Sequence, residues 1–195
     1  MTSPISIQDL TPTANAYKLV SLLYGPPTDR LEEILTHFEQ ALMSLEPGLI
    51  PIVTEMKTLS DNTSRHEELT ADYAKLFIGP FDLLAPPYGS VYLDGQRRVM
   101  GDSSIKVLQV YRQVGLNLSE EFKEPPDHII TELEFMYYLI AKYIETSDEQ
   151  WILKKEEFFD HYLSPWIRDF SIRIQENAET AFYKNLAQLT LGLFS

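Results

Sequence analysis

YAKLFIGPFDLLAPPYGSVYLD, residues 73–94, reads as the end of a helix, a stop at Gly79-Pro80, and then a loop of prolines, glycines and aromatics with little charge. Gly79 can take the left-handed conformation that ends a helix, and Pro80 has no N–H with which to continue one. An apolar loop is stable only when it is buried or kept for a partner. The remainder of the chain must therefore be the body that holds it, and the periodicity of that body decides the fold.

Upstream, Ser64 with Glu67 has capping-box spacing and opens a helix with Leu69, Tyr73, Leu76 and Phe77 on one side. Ile52, Val53, Met56 and Leu59 form a short helix before it, and Leu31, Ile34, Leu35, Phe38 and Leu42 line another, a spacing no strand can use. The first helix follows a Thr13 cap with Ala16, Leu19, Val20 and Leu23, and stops at Gly25-Pro26-Pro27. Downstream, Asp102 or Ser103 caps a helix carrying Ile105, Leu108, Val110, Tyr111 and Val114. A polar linker over residues 119–124 leads to Pro125-Pro126-Asp127-His128 and a stripe of Ile129, Ile130, Leu133, Met136, Tyr137, Ile140 and Ile144. Ser147 with Gln150 has capping-box spacing before Trp151, Leu153, Phe158 and Tyr162. Ser164-Pro165 starts a helix that Asn177 closes, and Ala181, Phe182, Leu186, Leu189 and Leu193 lie on the last. The expectation is an all-α, single-domain bundle of about nine helices spanning residues 1–195, with no strand signal stronger than Ser90 to Leu93.

The totals narrow the function. A formal net charge of −13 repels phosphate, which argues against nucleic acid and favours a basic partner. The absence of cysteine removes disulfides, thiolate catalysis and Cys-based metal sites. No signal-peptide pattern and no apolar run near the roughly 20 residues of a membrane span are present, so the expectation is a cytoplasmic protein without stable membrane insertion. None of His37, His66, His128 and His161 has a Glu three residues before it, so no di-iron pattern exists, and no metal or cofactor is expected. Phosphate-loop and Gly-x-Ser-x-Gly patterns are missing, so no catalytic residue is assigned. Arg97-Arg98 sits mid-chain and reads as a solvated turn.

Asp127-His128 has two readings: a helix cap with its first-turn residue, or hydrogen-bonding groups at the lip of a groove, where an ionised Asp127 receives an arginine. Replacing both by alanine separates the two, since a cap costs thermal stability and a recognition pair costs binding.

YAKLFIGPFDLLAPPYGSVYLD, then VMGDSS, then EPPDH, then FYKNLAQLTL together resemble the TorD/DmsD/NarJ family of molybdoenzyme chaperones, most closely its DmsD-like members. The resemblance covers residues 73–195. It implies a cytoplasmic, non-enzymatic helical protein that binds the twin-arginine signal peptide of a molybdopterin-containing oxidoreductase subunit, and so delays export until the client's cofactor is inserted. It further implies a peptide site at Tyr73, Leu76, Phe77, Phe81, Pro87, Tyr88, Asp127 and His128. Close relatives often carry Trp where this chain has Tyr73, Phe81, Tyr88 and Tyr92, so the surface here stays aromatic without the indole. Two alternatives stand beside this: an assembly factor that grips the mature client, and a nucleotide-binding or hydrolytic protein using Asp127 and His128. A monomer and a helix-exchanged dimer are both compatible with the family.

Overall fold

Helix stops placed by glycine and proline, with apolar stripes between them, leave little room for any architecture but helix on helix. The computed structural model describes residues 7–60, 63–79, 83–95, 99–117 and 124–194. Pro80, Phe81, Arg97, Arg98 and residues 119–123 of the linker lie outside them. The described residues form α1 (Ile7–Leu23), α2 (Leu31–Leu45), α3 (Ile50–Ser60), α4 (Thr63–Tyr73), α5 (Gly89–Leu93), α6 (Asp102–Gln113), α7 (Ile129–Thr146), α8 (Gln150–Phe158), α9 (Ser164–Asn177) and α10 (Ala181–Phe194). Nine of these are the expected helices, and α5 is a five-residue addition. No strand occurs among the described residues, only an isolated antiparallel bridge between Tyr88 and His128.

α1 packs against α7 and α2, while α10 packs against α9 and α3. Between these layers Leu35, Phe38, Leu42, Leu76, Ile129, Leu133, Trp166 and Phe170 belong to one buried apolar cluster. Within it Tyr24, Phe170 and Tyr183 ring Phe77 at 5.7–6.1 Å.

Two junctions depart from α geometry. Residues Ala74–Ile78 form a π turn that extends α4, and the Gly79 N–H donates to the Ala74 carbonyl five residues back at 2.6 Å. The widened turn leaves the Leu76 carbonyl to accept from the returning Ala85 N–H at 3.0 Å, which ties the loop's far side to the helix. A second π turn, Phe159–Leu163, joins α8 to α9 just before Pro165, which has no N–H for the α ladder.

Several expected details differ. α1 begins before Thr13 and contains Pro12 past its first turn, where the missing N–H removes one bond from the ladder. Ser147 ends α7 in the left-handed conformation, and it is Asp148 whose carboxylate accepts the Gln150 N–H at the start of α8. Leu153 and Tyr137 face solvent. On α6 the buried face runs through Ser103, Ser104, Val107 and Tyr111, and Ile105 is exposed. The hydroxyl of Ser104 faces inward and donates to Asp127.

Candidate functional site

The loop and the start of α7 are joined by backbone. Gly89 N–H donates to the Asp127 carbonyl and Ile129 N–H to the Pro87 carbonyl, both at 2.9 Å, on either side of the Tyr88–His128 bridge. Pro87, Tyr88, Asp127 and His128, far apart in sequence, therefore meet at one place.

Asp127 is 1% exposed, and both its oxygens are engaged. One accepts the Ser90 N–H at 2.6 Å and so caps α5, and the other accepts the Ser104 hydroxyl at 2.5 Å. His128, not Asp127, is the N-cap of α7, its Nδ1 accepting the Ile130 N–H at 3.1 Å. Burial depresses the His128 pKa to about 4, against the raising influence of Glu124 and Asp127, so the ring is neutral at physiological pH. A neutral ring with Nδ1 as acceptor carries its proton on Nε2.

Tyr88 is half-buried, meets the His128 ring edge-on at 5.2 Å, and donates its hydroxyl to Glu124 Oε2 at 2.8 Å. Burial and the Glu124 carboxylate raise the Tyr88 pKa. Glu124 is exposed. Tyr73, Leu76 and Phe77 are buried in the aromatic core, with Tyr73 at 5.3 Å from Phe77. Of the residues implied by the resemblance, the structure thus gathers Pro87, Tyr88, Asp127 and His128, and sets Tyr73, Leu76 and Phe77 behind them in the wall. Phe81 lies outside the described residues.

Four contributors were given no role by sequence reading. Glu124 is the EPPDH acid and was visible in that motif. Ser90 and Ser104 look like ordinary loop and helix serines, and Trp166 carries no local signal. Beneath the loop Trp166 stacks on Tyr92 at 5.6 Å and donates its Nε1–H to the buried Glu132 at 3.0 Å. Among the described residues no group of three or more His, Asp or Glu converges as metal ligands would.

A family model described as the nitrate reductase delta subunit matches residues 28–171. The chain belongs to this TorD/DmsD/NarJ family. The Tat proofreading chaperone DmsD of Salmonella typhimurium is 30% identical over 195 residues, covering 97% of this chain and 89% of that protein. The chaperone protein TorD of Vibrio parahaemolyticus is 28% identical over 154 residues, 76% of this chain and 71% of that one. A crystal structure assigned to a redox enzyme maturation protein from Archaeoglobus fulgidus shares the fold, with a TM-score of 0.60 at 24% identity over 93% of this chain and 94% of that one. The TorD and DmsD relatives are named as chaperones and not as enzymes, which supports a non-enzyme. No helix among the described residues is long and apolar enough to cross a membrane.

Proposed function

We propose that this chain is a cytoplasmic maturation chaperone that binds the twin-arginine signal peptide of a molybdopterin-containing oxidoreductase and delays its export until the cofactor is in place. The observation that carries the reading is the backbone junction of residues 87–90 with residues 127–129. It stands a half-buried aromatic, Tyr88, and an exposed carboxylate, Glu124, side by side on a buried polar base. In this reading Asp127 and His128 contribute by fixing the Tyr88 segment, and the carboxylate open to a peptide arginine is that of Glu124. Ile78, Leu84 and Leu93, exposed along the loop and its approaches, offer apolar surface to the stretch that follows the arginines. Apolar burial at about 25 cal/mol per Å2 outweighs exposed ion pairs of roughly 0–1 kcal/mol, so greasy contact dominates affinity and charge sets register.

Calorimetric titration against a panel of twin-arginine signal peptides tests this. Wild type binds at least one, and Tyr88→Ala loses about 1–3 kcal/mol of affinity with its melting temperature nearly unchanged. Folded protein that binds none overturns the reading. The nitrate reductase delta subunit description of the family model supports a second reading, in which the mature client is gripped. Equal binding to a client with and without its leader would favour that one.

A further inference from the structure

Glu132 is an acid that the peptide reading does not use. It lies one turn into α7, its backbone N–H bonded to the His128 carbonyl, and is 1% exposed. Its Oε2 accepts the Trp166 Nε1–H at 3.0 Å. Among the described residues no Lys, Arg or His lies within ion-pairing distance of it. The groups around it are Asp127 and His128 at the start of α7, Tyr111 from α6, and Tyr92 of α5 across the Trp166 ring. Arg173 of α9 lies over the Tyr92 ring at 5.4 Å and not beside the carboxyl. An ionised carboxylate here would have an indole donor, a carboxylate neighbour and no cation, an arrangement that burial strongly disfavours. Burial raises the Glu132 pKa well above its ordinary value; the indole hydrogen bond works against this and Asp127 adds to it.

Trp166 is the floor of the loop. A Cβ at Gly89 would sit 3.0 Å from its Nε1 and 3.2 Å from its Cε2, so the loop backbone lies directly on the indole. Tyr92 stacks on the same ring at 5.6 Å and returns its hydroxyl to the Pro86 carbonyl at 2.9 Å. Whatever fixes the indole therefore fixes residues 86–92 at both ends.

We propose that Glu132 is held as the neutral acid and acts as a positioning residue for the loop: only the neutral acid rests in this buried site without a cation, and an ionised carboxylate, though the stronger acceptor, is drawn from it towards water, taking its hydrogen bond from Trp166 and unseating residues 86–92 and Tyr88 with them. The consequence for peptide affinity rests on the function proposed above; the proton and the loop seating do not.

The chain has two tryptophans, so Trp151→Phe leaves Trp166 as its only indole. In that background, raising the pH above neutrality is expected to shift the Trp166 emission to the red over the range where the infrared carbonyl band of a protonated carboxyl disappears. Glu132→Gln, whose amide oxygen can accept the indole N–H without titrating, should lack both the band and the shift. Affinity for a twin-arginine peptide should fall about tenfold through the same transition, and less than about threefold with Glu132→Gln. A neutral-pH band unchanged in Glu132→Gln, or the same red shift in it, overturns the proposal. If that variant does not fold, the infrared titration of the parent still decides, since no protonated carboxyl at neutral pH overturns it. A peptide bound by neither form sinks the function and leaves the proton to the spectroscopic readouts.

Discussion

His128 and Glu132, one helical turn apart, pull stability in opposite directions with pH. The His128 pKa is lowered from 6.5 to about 4 on folding, so the unfolded chain binds more protons between those values and stability is lost as pH falls through them. Its share is about 3 kcal/mol, fully present above the unfolded pKa. His128→Asn keeps an acceptor for the Ile130 N–H but does not titrate, so urea midpoints from pH 7 down to about pH 4 should fall less steeply in the variant. Glu132 has the reverse sign: its folded pKa is raised above 4.5, so its contribution is lost as pH rises from that value towards the folded one. Asp127 makes a different test. With Ala there, the Ser90 N–H and the Ser104 hydroxyl lose their acceptor in a buried site, about 2–5 kcal/mol in all. At about 2–4 °C per kcal/mol, a clear drop in melting temperature is expected by calorimetry, the outcome that marks a structural anchor. The partners of these groups were not legible in the residues themselves. Glu132 falls three residues after Ile129 and four before Met136, on the apolar face of α7, so spacing alone could have placed it in the core, but its partner Trp166 comes from another helix.

At the scale of elements, stops were readable, and starts only where their signal is local, as at Ser164-Pro165, where α9 begins. Gly79, Gly115 and Asn177 end or follow helices because left-handed glycines and side-chain bonds to the last carbonyls act within one turn. Gly115, for instance, has φ 79° and returns its N–H to Arg112. Other starts depend on groups from elsewhere. α6 is capped by Asp94, which accepts from the Ser103 N–H at 3.2 Å and its hydroxyl at 2.9 Å. α10 is entered under Asp72, which accepts from the Glu179 and Thr180 N–H groups. α5 was missed for the same reason, since its cap is Asp127, which no local pattern reveals. The junction of α5 with α9 is also where one atom matters most. Gly89→Ala must displace the indole, and a cost of about 1–3 kcal/mol is expected in chemical denaturation, together with weakened peptide binding.

The whole molecule carries a formal net charge of −13, and its five ion pairs among the described residues are mostly exposed, so the charge acts more on approach than on stability. Stopped-flow association of a twin-arginine peptide should slow by about tenfold or more from low salt to about 0.5 M, with the dissociation rate changing much less. A salt-insensitive association rate would argue that the acidic surface does not steer this ligand. The helical architecture was legible because the apolar stripes of nine helices are set by chain-local periodicity. The meeting of the loop with Asp127-His128 entered through resemblance, because a bridge between segments so far apart leaves no trace in spacing.

The π turn at Ala74–Ile78 gives the loop a place to attach. A π turn holds one residue more than the α turn it replaces, and each residue of an α-helix advances the chain by about 100° and 1.5 Å. The wide turn absorbs its surplus residue within a single turn, whereas one residue added to a regular α ladder would rotate everything after it by that angle. Deleting that residue should therefore restore the ladder without re-aiming the helix, and what would be lost is the Leu76 carbonyl that the wide turn leaves open for Ala85.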